Sequence, residues 1–145
     1  MRRHNSIINL SRDHHHGLIL AQLIKKNAPN YKNLPSTIEG KTEYTLNAYK
    51  SELLPHFKKE EEILFPFIKG KDEELDKVIV QLIEDHKKIT GLVLRVEGND
   101  NKEEALDELG NLLTQHIRKE ERDLFDSIQN ILTTEELDNL DNLFK

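Results

Sequence analysis

Leu54-Pro55-His56-Phe57-Lys58-Lys59-Glu60-Glu61 places a histidine and a carboxylate four residues apart inside an apolar-periodic run. On a helix, residues i and i+4 lie one above the other on the same face. An imidazole and a carboxylate on an inward face can hold a metal ion from one side. A near-copy follows at Leu113-Thr114-Gln115-His116-Ile117-Arg118-Lys119-Glu120-Glu121. Two His-x-x-x-Glu-Glu blocks in a chain of 145 residues organise the reading of the rest.

Working outward, each block sits in a helical seam. Before the first block, Ile7, Leu10, His14, Gly17, Ala21 and Ile24 recur at alternating three- and four-residue spacing, the mark of an amphipathic helix. Residues 27–35 carry two prolines and no period, so they read as a loop. Ser36 or Thr37 is placed to cap a second helix with the seam Leu46, Tyr49, Leu53, His56, Glu60, Ile63 or Leu64, and Phe67. Pro55 interrupts it; a kinked continuous helix is expected, because the seam keeps phase across the proline, with a fresh start at Pro55 as the alternative. Pro66 and Gly70 end this element. A third helix is expected from about Asp72 to Glu97, on the seam Leu75, Ile79, Leu82, His86, Ile89, Val93 and Val96. Gly98-Asn99-Asp100 reads as a turn. The fourth helix, from about Lys102 to Leu132, turns Leu106, Leu109, Leu113, His116, Glu120, Leu124 and Ile128 inward. Thr133-Thr134-Glu135-Glu136 is a cap signature for a short last helix to about Phe144.

The fold class is therefore all-α: an antiparallel up-and-down four-helix bundle with a short extra C-terminal helix, one domain over residues 1–145. Met1 to Ser6 is basic and expected to fray, with His4 exposed. His14 comes early in its helix, which places the polar site toward one end of the bundle. Composition agrees: 36% hydrophobic, 33% charged, six glycines and four prolines. A net charge of −6 without a basic stripe argues against nucleic acid. The absence of cysteine removes thiolate metal sites, iron–sulfur clusters and disulfides together. No apolar run approaches a membrane span and no signal-peptide core is present, so no membrane partner is expected and the cytoplasm is the expected compartment.

Each of the four seams contains one histidine, His14, His56, His86 and His116, and two contain a glutamate one turn on, Glu60 and Glu120. Burying six such groups unpaired costs several kcal/mol apiece, on the order of the penalty for a lone buried polar or charged group. Two buried Glu–His⁺ pairs and two hydrogen-bonded histidines would be the metal-free answer; a metal supplies the missing charge directly. Imidazole and carboxylate without thiolate suit iron, manganese or zinc. Inward Glu and His sets in bundle cores hold carboxylate-bridged metal pairs. A mononuclear site on the four histidines leaves the glutamates idle.

The blocks Leu10-Ser11-Arg12-Asp13-His14-His15-His16, His56-Phe57-Lys58-Lys59-Glu60-Glu61, Glu84-Asp85-His86 and His116-Ile117-Arg118-Lys119-Glu120-Glu121 resemble, in that order, the hemerythrin-like cation-binding family over nearly the whole chain. The resemblance implies a four-helix bundle around a non-haem pair of iron ions, oxo- or hydroxo-bridged. His14, His56, His86 and His116 would be terminal ligands, and Glu60 and Glu120 bridging carboxylates. Oxygen-carrying members use five histidines, two of them one turn apart on the third helix. Here Thr90 follows His86 by one turn and Leu82 precedes it. Candidates for an additional ligand or outer partner are His15, His16, Glu61 and Glu121. Adjacent residues on a helix point about 100° apart, so the period selects His14 from the histidine triplet, leaves His15 flanking the seam and gives His16 to solvent or an outer position. Asp13 and Asp85 each precede a site histidine and are candidates to orient a histidine of another helix. Tyr49 shares the face of His56 and is read as core, or as a hydrogen-bond partner near the site.

The leading function is a di-iron protein that meets dioxygen, nitric oxide or peroxide at an open iron position. An enzyme that decomposes peroxide or repairs nitrosative or oxidative damage is the second reading. A zinc-bound or metal-free helical interaction module is the third. The missing fifth histidine favours sensing, iron handling or peroxide chemistry over reversible oxygen carriage.

Overall fold

The computed structural model describes residues 2–98 and 101–145. Met1, Asn99 and Asp100 lie outside them, and with them most of the expected Gly98-Asn99-Asp100 turn. Among the described residues the chain is all helical, with five helices and no strand. α1 is Asn5–Ile24, α2 spans residues 38–68, α3 is Glu73–Glu97, α4 spans residues 102–131 and α5 is Thr134–Leu143. None is long and apolar enough to cross a membrane.

The local signals explain most of the boundaries. Thr37 and Asp72 cap α2 and α3 by accepting from Gly40 N–H and Leu75 N–H. Thr133 and Glu136 close a reciprocal capping box on α5. Gly70, at φ 84°, takes the left-handed conformation just after α2. The chain entering α1 is anchored: His4 caps α1 by accepting from Ser6 N–H, Ser6 is buried, and Arg3 is tied to α4 by hydrogen bonds. The expectation of a frayed Met1–Ser6 with an exposed His4 is thus corrected for residues 3–6.

Pro55 kinks nothing apart: α2 is continuous, as expected, and a π-turn at Tyr49–Leu53 lies immediately ahead of the proline. A second π-turn, Glu60–Leu64, precedes Pro66, which sits inside the last turn of α2. Proline lacks the N–H that an α-helix needs, and a wider turn upstream accommodates that loss. Glu120–Phe125 of α4 is a third π-turn and has no proline. The second and third both begin at the glutamate of a His-x-x-x-Glu block, the kind of functional position where such bulges recur. On α2, Leu53, His56 and Glu60 of the expected seam are buried, and of Ile63 and Leu64 it is Leu64 that is buried. Leu46, Tyr49 and Phe67 are partly buried against the core, with Thr42, Thr45 and Ile68 the more deeply buried residues beside them. The seams of α1, α3 and α4 are buried throughout.

The buried apolar residues form two clusters. One gathers Ile7, Leu10, Leu64, Phe65, Leu82, Leu124 and Phe125 with Leu137 and Leu140 of α5. The other gathers Leu20, Ala21, Leu53, Phe57, Ile89, Leu109 and Leu113. The six polar seam residues lie in the layer between them. His14 is midway along α1, so the site is central to the bundle and not toward one end. A Cβ on Gly110 would stand 2.7 Å from Ala21 O, so glycine there lets α1 and α4 approach closely.

Candidate metal centre

His14, His56, His86, His116, Glu60 and Glu120 are each no more than 6% exposed. α1, α2, α3 and α4 each deliver one imidazole, and the His-x-x-x-Glu spacing delivers the two carboxylates one turn beyond their histidines. The four Nε2 atoms converge on the glutamates. Glu120 Oε1 lies 3.0 Å from His14 Nε2 and 3.3 Å from His56 Nε2, and its Oε2 lies 3.2 Å from His116 Nε2. Glu60 Oε1 is 3.2 Å from His86 Nε2, and its Oε2 is 3.4 Å from His56 Nε2. Two donor groups emerge, Glu60–His86–His116–Glu120 and His14–His56–Glu120, the atoms of each within 4.8 Å of one another. Glu120 belongs to both.

Behind this inner set runs a closed ring. Each histidine donates its Nδ1–H to a carboxylate from a neighbouring helix. His56 donates to Asp13 of α1 (3.0 Å), and His86 to Glu61 of α2 (2.8 Å). His116 donates to Asp85 of α3 (3.0 Å), and His14 to Glu121 of α4 (2.5 Å). Fixing Nδ1 as the protonated nitrogen leaves the lone pair of every Nε2 turned inward, which is how a metal-binding imidazole is oriented.

The electrostatics follow from this arrangement. Burial alone would push the His116 imidazole down; the bonds to Asp85 and Glu120 with the charge of Glu60 outweigh it and hold it up at about 9. Burial likewise opposes, and the carboxylates overcome, the raised positions of His14 and His56. Burial would raise Glu120, yet its contacts with Glu60 and three histidines hold it well below the usual carboxylate range. Without a metal, then, protons on the histidines balance the acids. They do not satisfy the layer. Both oxygens of Glu60, Oε2 of Glu120 and the Nε2 atoms of His86 and His116 are buried without hydrogen-bond geometry to any described residue. Each such orphan costs about 1–3 kcal/mol. Cations placed between imidazole lone pairs and carboxylates remove that cost, so these buried groups could bind a metal.

A cavity of ≈ 20 Å³ adjoins the layer, lined by His14, His56 and His116 with Asp13 and Glu52 on the polar side and by Gly17, Phe57, Leu113 and Ile117 among its apolar walls. That is room for about one water-sized molecule. A Cβ on Gly17 would meet Ile117 Cδ1 at 2.9 Å.

Among the additional candidates, His15 and His16 are exposed on α1, and His16 comes no closer than 4.0 Å to Glu52. His15, a candidate for an additional ligand or outer partner, is turned to solvent because its neighbour His14 takes the inward direction. Glu61 and Glu121 join the outer ring. Asp13 and Asp85 do orient a histidine of another helix. Tyr49 hydrogen-bonds Thr90 Oγ1 (2.7 Å) and no site histidine. Sequence reasoning missed Arg3 and Ser11, which hold Glu121, and Lys119, which bonds Asp85. It also missed Phe57, whose ring stacks on His86 at 3.9 Å between centroids. One signal was available: an acid stands next to an inward residue in all four blocks, at Asp13-His14, Glu60-Glu61, Asp85-His86 and Glu120-Glu121.

Neither the curated proteins nor the solved structures include a significant match to the chain. The model of the hemerythrin HHE cation binding domain matches residues 5–128, a span that runs from the start of α1 to within three residues of the end of α4 and contains every residue of the inner set. The chain belongs to the hemerythrin HHE cation-binding family.

Proposed function

We propose that the chain holds two iron ions in the polar layer and binds a small molecule of the dioxygen, nitric oxide or peroxide class beside them. His86 and His116 would serve one ion and His14 and His56 the other, with Glu60 and Glu120 shared between them. When bound, the iron pair supplies redox-active Lewis acid sites. The observation that carries this reading is the pair of donor groups that share Glu120, one of which, Glu60–His86–His116–Glu120, holds every orphaned buried atom. One ion in that group would leave the second group, His14–His56–Glu120, unused.

The chain's own residues define the rest. The outer ring holds each Nδ1 proton and so keeps each Nε2 free to coordinate. The ≈ 20 Å³ cavity gives a diatomic-sized molecule room against His14, His56 and His116. A pocket of that size favours binding or sensing of a small molecule over work on a larger substrate.

The test is anaerobic reconstitution with Fe(II), metal analysis and then exposure to air. About two irons per chain, with a near-ultraviolet charge-transfer band appearing in air, is the expected result. No iron, or a single tightly held zinc, overturns the reading and leaves the fold in place.

A further inference from the structure

Of the four ring carboxylates, Glu121 is held most firmly. Its Oε1 accepts from Arg3 Nε (3.3 Å) and Nη2 (2.8 Å), and Ser11 Oγ donates to Oε2 (2.9 Å), the oxygen that receives His14 Nδ1–H. Arg3 Nη2 also donates to the Glu121 carbonyl (2.9 Å), and Nη1 to Asp126 (2.6 Å). The guanidinium further lies over the Phe125 ring at 5.6 Å, and Phe125 stacks on the His14 imidazole at 5.5 Å and 11°. Arg3 thus reaches His14 by two routes, through a carboxylate and through an aromatic ring. Asp85 has only Lys119 in a comparable place, while Asp13 and Glu61 have no lysine or arginine hydrogen-bond partner among the described residues.

We propose that Arg3 is a positioning residue for the metal centre, acting through Glu121 and Phe125 on His14. This rests on the metal reading above. A planar guanidinium bonded on two edges fixes the carboxylate plane, which a point charge cannot do. It also draws negative charge from Glu121 and makes His14 a weaker donor than His56, whose Asp13 is not shared in this way. The two histidines assigned to one ion are therefore unequal, and the segment preceding α1 sets the difference.

The experiment uses Co(II) as the probe on the full chain. In the wild type, proton spectra of the Co(II)-loaded protein should show four exchangeable, hyperfine-shifted imidazole N–H signals. In Arg3→Ala one of them, from His14, should move or vanish by exchange with solvent while three stay. The affinity for one of the two Co(II) equivalents should fall by about tenfold, the low end of the ~10–100-fold typical for removing an outer partner. Arg3→Lys, which keeps the charge and loses the fork, should be intermediate, and it carries the test if Arg3→Ala does not fold. Asp126→Ala removes an Arg3 contact without touching Glu121 and should leave the four signals and both affinities within twofold of wild type. Four unchanged signals with unchanged affinity in Arg3→Ala overturn the proposal, as does a uniform loss of all four. A wild type that fails to take up two Co(II) ions overturns the metal reading itself; two ions bound with an indifferent Arg3→Ala overturn only this inference.

Discussion

The two His-x-x-x-Glu-Glu blocks are the same six-residue pattern on α2 and α4, and inwardly they behave alike. In each, the histidine and the first glutamate are buried, and a π-turn begins at that glutamate. Outwardly they diverge. Glu61 keeps 42% of its side chain exposed and bonds His86 alone, whereas Glu121, at 27%, also accepts from Arg3 and Ser11. The inner glutamates differ too: Glu120 approaches three histidines, Glu60 two. A local pattern fixes what its own helix turns inward. How strongly that layer is held depends on residues brought from elsewhere in the chain.

The largest effects should come from the inner pair. Glu120→Ala and Glu60→Ala should each lose most bound metal, with Glu120→Ala retaining less because it serves both donor groups; elemental analysis after reconstitution decides it, and equal retention of two ions in both would break the comparison. Glu60→Met should abolish the metal pair and lower the melting temperature of the metal-free chain. Removing one partner of a buried charge cluster leaves the others uncompensated, at a cost of about 3–5 kcal/mol, here the histidine protons that Glu60 helps to balance. A rise in that temperature would show that Glu60 burdens the chain when no metal is bound.

Next in size is the outer ring. Glu121→Ala should weaken metal binding by ~10–100-fold and Glu61→Ala by less, since the more exposed carboxylate is the more readily replaced by water. Competition with a chelator of known affinity measures both, and the reverse order would remove the distinction between the two blocks.

Acidity probes the same layer. In the metal-free chain His116 is raised to about 9 from 6.5, so its contribution is complete below 6.5 and is lost as pH rises through about 9. Glu120 and Glu121 are lowered from 4.5, so theirs is complete above 4.5 and is lost as pH falls. Thermal melts in chelator should therefore peak between about pH 4.5 and 6.5 and decline on both sides. Metal affinity should instead rise with pH across this range, because the ions must displace protons from the histidines. The smallest effect is Tyr49→Phe. It removes one partly buried hydrogen bond to Thr90, for about 0.5–1.5 kcal/mol, and should leave metal content unchanged.

The sequence made the helices and the inner set legible because both depend on spacing along one helix. Leu75 to Val96 on α3 and Leu106 to Ile128 on α4 repeat without a break, and the helix built on them buries those side chains. On α2 the seam departs from the expected one mainly toward its two ends, where Thr42 and Thr45 are buried beside a partly covered Leu46 and Ile68 beside a partly covered Phe67; the π-turns left no mark in the spacing, and α4 keeps its phase through one. The outer ring was legible only as candidates. Asp13 meets His56 across 43 positions and Arg3 meets Glu121 across 118, and no local rule connects such pairs. Four inward histidines with two glutamates supplied the expectation of a metal, and the family resemblance that of a bridged iron pair; the convergence of atoms in the layer shows where a metal can be held.

The separation of the apolar side chains into two clusters has a kinetic consequence. With the layer between them held only by histidine protons, the end containing α5 and the end containing Leu20 and Leu109 should behave as distinct cooperative units in the metal-free chain. Their amides should then exchange with solvent at two different rates. Ions bound across all four helices rivet the units into one, so that in the loaded protein both ends open together or not at all.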